Sequence, residues 1–182
     1  MSTGHPFNFV SPAARQGAFV IFLILALICL ALFAFVLDPP LRTAAAPWGI
    51  VSFELAWRTT TVSAILGSWD HAAKVYAAFS LGFDFLFILC YAFVLGIGTQ
   101  IASDRLGRRF GTMGRTLGWG VILAVLLDVA ENILLFVIMT KGNFPPYALF
   151  ASLAATLKFL LILIVVCYVL LGLLAPRASE ET

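Results

Sequence analysis

Four apolar runs decide the class of this chain. Residues 17–37, 75–98, 118–139 and 147–174 are each long enough to cross a hydrocarbon layer about 30 Å thick, which takes about 20 residues of helix. Inside a bilayer every backbone N–H and C=O must be bonded within the chain, so runs of this length are read as helices. The 182 residues are 62% hydrophobic and 11% charged, whereas a soluble domain carries about 25% charge. A soluble globular fold is therefore excluded, and the length accommodates four spans with their connections. The expected fold is all-α, an antiparallel four-helix transmembrane bundle forming one domain over residues 1–182. The first run exceeds the roughly 7–15-residue apolar core of a signal peptide and is read as a retained span.

Punctuation and charge place the ends. Asp38-Pro39-Pro40 stops the first span, Asp70 is a candidate N-cap for the second helix, Pro145-Pro146 starts the fourth, and Pro176 ends it. Arg15, Arg105, Arg108, Arg109, Arg115 and Arg177 flank one side, against Arg42, Arg58, Lys74 and Lys141 on the other. The positive-inside rule then puts both termini in the cytoplasm, and the expected location is a bacterial plasma membrane. The glycine-rich basic stretch 103–120 is read as a flexible loop able to meet lipid phosphates.

The connection between spans one and two is long and partly apolar. Residues 47–69 are expected to form short helices lying on the outer surface as an interfacial cap, with Trp48, Trp57 and Trp69 anchored at the headgroup level. Glu54 and Arg58 are spaced as an i,i+4 pair and are candidate lid residues.

Ionisable residues within the spans are the informative exceptions, since each costs at least about 2.5–3.5 kcal/mol at a helix centre facing lipid. There are four, Asp84, Asp128, Glu131 and Lys158, and Asn132 joins them. At about 1.5 Å per residue all five lie roughly 10–16 Å from the outer ends of their spans, a shared level. Asp128, Glu131 and Asn132 follow i, i+3, i+4 and so share one helix face. Tyr91 falls on the same stripe as Asp84 and is a candidate ligand residue. Three carboxylates against one ammonium leave an excess of negative charge that a low-dielectric site does not tolerate unaided. A bound proton, a cation, water or a ligand amine is expected to complete it.

Several chemistries are absent. His5 and His71 lie outside the apolar runs, which leaves no imidazole for an intramembrane haem or zinc site. Cys29, Cys90 and Cys167 form no C-x-x-C and read as small core residues. No cofactor and no metal are expected, since Lys158 competes with any cation for the acidic oxygens. A net charge of +2 without a basic aromatic stripe gives no case for nucleic acid. Membrane lipids and a small amphiphile remain as partners, and a homo-oligomer is open.

Three functional readings follow. In the first, Asp84, Asp128, Glu131, Asn132 and Lys158 bind a small amphiphile, a lipid headgroup or a proton in a transport-related role. In the second, a membrane enzyme uses Asp128 and Glu131 as acid and base on a lipid or isoprenoid, with Asp84 beside them and Lys158 stabilising negative charge. In the third, the cluster only holds the helices of an accessory subunit together. The series FELAW (53–57), AILGSW (64–69), DFLFILCY (84–91), DVAENILL (128–135) and Lys158-Phe159 resembles small four-span bacterial membrane proteins of unassigned function. The resemblance implies a bacterial plasma-membrane protein centred on this polar cluster and supplies no activity.

Overall fold

Where the sequence places prolines and capping side chains, the helices begin and end. The computed structural model describes residues 4–142 and 145–175, with only the backbone given for 108 and 109. Pro176 and Arg177 lie outside the described residues. All of the regular structure is helical: α1 (Pro12–Leu32), continued by a π-helical turn (Phe33–Leu37) and a 3-10 turn (Pro39–Leu41), α2 (Ile50–Glu54), α3 (Thr59–Ser68), α4 (His71–Leu106), α5 (Arg108–Lys141) and α6 (Pro145–Leu174). Among the described residues four helices are long and apolar enough to cross a membrane, Pro12–Leu37, His71–Leu106, Phe110–Lys141 and Pro145–Leu174, and they form a bundle. The protein is thus a multi-pass membrane protein.

The spans run longer than their apolar cores. Asp70 caps α4, its Oδ1 accepting the Ala73 N–H at 2.7 Å, so the helix starts four residues before the apolar run. At the other end α4 continues to Leu106 and α5 starts at Arg108. The basic stretch expected to be a loop is therefore helical except at Gly107, whose φ of +75° turns the chain as only glycine does at low cost.

The chain divides into two compact units, each drawing on α1, α4, α5 and α6. One comprises 27–88 and 126–158, and its core takes in one face of the connection between the first two spans. Leu41, Ala46, Phe53, Ala56, Val62, Ile65 and Trp69 of the connection are buried against Ala73, Ala77 and Leu81 of α4, Leu135 and Ile138 of α5, and Ala148 and Ala151 of α6. Small residues spaced by one helical turn, Ala73 and Ala77 on α4, let the connection, here called the plug, pack closely on the spans. Phe53 and Trp69 meet edge to face at 5.5 Å, a geometry worth about 0.5–1.5 kcal/mol beyond area. Trp69 is no interfacial anchor: it is buried, and its indole N–H donates to the Leu41 carbonyl at 2.8 Å. Trp48 and Trp57 are exposed.

The entry to the plug is built on Asp38. Its Oδ1 accepts the Ile50 N–H at 2.9 Å and its Oδ2 accepts from Arg42 Nε at 2.8 Å. Gly49, at φ +55°, leaves the space that the Asp38 carboxyl occupies, and a Cβ there would overlap it.

The other unit comprises the described residues 4–26, 89–125 and 159–175. Its surprise is the N-terminal segment, which packs inward rather than trailing as a tail. Phe7 is buried, with Phe22 and Phe93 stacked at 4.3 Å nearby. His5 Nε2 pairs with Thr99 Oγ1 at 3.0 Å, Gln100 Nε2 donates to Asn8 Oδ1 at 3.0 Å, and Trp119 Nε1 donates to the Gly4 carbonyl at 3.3 Å. Burial, and then the neighbouring Arg15 guanidinium, pulls the His5 pKa from 6.5 down to about 4.

Candidate functional site

Within the first unit α5 presents Asp128, Glu131 and Asn132 on one face, as their spacing requires. All three are buried, and Glu131 is wholly inaccessible, at 0%. Lys158 of α6 reaches this face and bridges two of them. Its Nζ donates to Asp128 Oδ1 at 2.7 Å and stands 2.8 Å from Glu131 Oε2. Lysine supplies up to three N–H donors from one compact charge, which suits it to a shared position between carboxylates. Asn132 turns to α4, its Nδ2 donating to Asp84 Oδ2 at 2.6 Å. Asp84 is only partly buried, on the margin of the cluster.

The plug adds a fourth carboxyl. Glu54 ends α2, is buried, and lies in the field of Lys158 and Asp128. Its backbone carbonyl accepts from Ser152 Oγ at 2.8 Å, and the same Oγ accepts the Trp57 N–H at 2.9 Å. Ser152 therefore pins both sides of the turn that ends α2. Trp57, with φ +54°, reverses the chain there, and Arg58 is left extended and exposed at the start of α3. The i,i+4 pair expected of Glu54 and Arg58 does not form, because the helix that would align them stops at Glu54. Glu54 turns inward alone.

Burial pushes the Glu54 carboxyl above the ordinary glutamate range, with Lys158 opposing and Asp128 adding to the rise. Its Oε2, like Glu131 Oε1, is buried with no hydrogen-bond partner among the described residues. An acceptor in that condition lacks a donor, and a proton carried by a carboxyl is the smallest donor that fits.

The structure thus brings together Asp84, Asp128, Glu131, Asn132 and Lys158, with Glu54 added from the plug. Tyr91 lies two helical turns beyond Asp84 on α4, is buried, and belongs to the second unit. Among the described residues no group of three or more His, Cys, Asp or Glu side chains is arranged to hold a metal ion. Sequence reasoning passed over Ser152, since a serine in a span costs little and draws no notice. Its signal was position: it lies within two turns of Lys158 on α6. Comparison of the chain with protein-family models, curated proteins and solved structures returns no match, so the resemblance to four-span bacterial proteins lends no activity.

Proposed function

We propose that this membrane protein binds and releases a proton at the Glu54/Asp128/Glu131/Lys158 centre, in exchange with a small cationic amphiphile. The charge balance carries the reading. With Asp84 included, four carboxyls face one ammonium, a formal −3 if all are ionised. Isolated buried charges of this kind neutralise or acquire a partner, because uncompensated burial costs several kcal/mol per ion. The cluster's demand is for positive charge, which a proton meets at rest and a ligand cation meets on binding. In this reading the chain resides in a bacterial plasma membrane with both termini cytoplasmic, as the Arg asymmetry favours, and the centre lies in the outer half of the bundle.

Infrared difference spectroscopy of the purified protein in maltoside micelles tests the resting state. A neutral carboxyl C=O band near neutral pH, lost in Glu54→Gln or Glu131→Gln, is expected. Addition of dodecyltrimethylammonium should then release about one proton per cation bound, read with a pH-indicator dye, because one charge replaces another. Carboxylates that are all ionised at mildly acidic pH, or cation binding without proton release, overturn the proposal.

A further inference from the structure

The second unit holds a cavity of about 560 Å³, lined by Arg15 of α1, Gln100 and Asp104 of α4, and Arg115 of α5, with His5 on its rim. Its volume is within the roughly 300–1,000 Å³ range of small-molecule sites. Two of the residues that line it carry a buried polar atom whose hydrogen-bonding demand is unmet among the described residues. Arg15 gives one N–H to Asp104 Oδ2 at 3.0 Å, but its buried Nε has no hydrogen-bond partner among the described residues. Gln100 is 96% inaccessible and spends its amide N–H on Asn8, so that its buried Oε1 is likewise without a partner there. An unmet cationic donor and an unmet acceptor on residues lining one cavity call for a ligand that is anionic at one end and a donor at the other.

The charges define the anion. Arg15 and Arg115 are permanently cationic, and His5 adds nothing near neutral pH because its pKa lies far below. Planar guanidinium groups suit phosphate oxygens. A fully ionised phosphate ester with no other polar group would meet Arg15 but offer Gln100 Oε1 no donor. We propose that this cavity binds a phosphate ester that carries its own N–H or O–H donor, with the phosphate on the arginines and the donor on Gln100 and Asp104. Ethanolamine phosphate has that chemistry, whether free or as the headgroup of a phospholipid.

The test exploits choline phosphate, which has the same phosphate and charge but no N–H donor. In ³¹P NMR titrations of the full-length protein in maltoside micelles, phosphoethanolamine should bind roughly tenfold more tightly than phosphocholine, about 1.4 kcal/mol. Gln100→Leu should abolish that preference while phosphate binding persists, and Gln100→Glu, which keeps an acceptor, should retain it. Arg115→Ala should weaken both ligands about equally. In nanodiscs of mixed phosphatidylethanolamine and phosphatidylcholine, native mass spectrometry then separates the sources. Retention of phosphatidylethanolamine by the wild type and not by Gln100→Leu assigns a lipid headgroup, and soluble binding without lipid retention assigns a free ester. Equal affinity for the two soluble probes, no saturable binding of either, or a preference unchanged in Gln100→Leu overturns the proposal.

Discussion

Replacing Lys158 by Met should destabilise the protein far more than the loss of a membrane hydrogen bond. Lys158 is 4% exposed, and its partners Asp128 and Glu131 are 3% and 0% exposed. Contacts at 2.7 and 2.8 Å tie all three together without room for bulk water. An interhelical hydrogen bond in a membrane protein averages about 0.6 kcal/mol, so the bond from Lys158 to Asp128 by itself predicts a loss of about that size. Removing one partner of a buried ion pair instead strands the other, at about 3–5 kcal/mol. The larger figure is expected because Met matches the length and apolar stem of Lys, which leaves the orphaned carboxylates as the dominant change. Removing the carboxylates' charge as well should restore most of the loss, bringing Lys158→Met/Asp128→Asn/Glu131→Gln within about 1.5 kcal/mol of wild type. Reversible unfolding in mixed maltoside and dodecyl sulfate micelles measures both. A single variant that loses less than about 1.5 kcal/mol, or a triple variant as unstable as the single one, would refute the charge argument. If the single variant fails to accumulate, the triple variant must recover for the reasoning to stand.

Glu54→Gln should flatten the dependence of stability on pH. Because the folded state raises the Glu54 carboxyl above its ordinary 4.5, that group's contribution is full below 4.5 and is lost as pH rises through the folded value. The variant should therefore gain on wild type as melts in micelles move to alkaline pH. His5 has the opposite sign: its contribution is full above 6.5 and is lost as pH falls toward about 4. Discounted for partial exposure, that loss is about 1–2 kcal/mol, and His5→Gln should remove it from melts recorded across the interval. Ser152→Ala should cost about 1–3 kcal/mol, since it leaves the Glu54 carbonyl and the Trp57 N–H without their shared hydroxyl. Hydrogen exchange should then show the α2 turn opening while α4 stays protected.

Some of this molecule was legible residue by residue. The span count follows from apolar length, and the common face of Asp128, Glu131 and Asn132 follows from helical spacing, because both are properties of contiguous sequence. Depth was legible too: counting along the helices put Asp84 and Lys158 at the level of that face, and the structure joins them to it through Asn132 and the acidic pair. Asp70 and Asp38-Pro39-Pro40 marked helix ends because capping and proline chemistry act within a turn.

Partner choice was a different matter. Depth does not give azimuth, so nothing local shows that Lys158 is shared by Asp128 and Glu131 while Asn132 turns to Asp84. Which face of the connection is buried was not legible, because its apolar residues serve an interface or a core equally well. Alanines on α4 and α6, distant in the chain, admit it to the core. Glu54 joins the cluster because Ser152, 98 positions away, holds the turn that ends α2. His5 is likewise seated by Thr99, 94 positions on. Sequence alone determined that this chain is a four-span helical membrane protein with charge buried at one level, because helix period and apolar length are set within a few turns. Only the tertiary structure decided which charges meet, and it placed Glu54 inside and Arg58 outside, because contacts between distant segments set those positions.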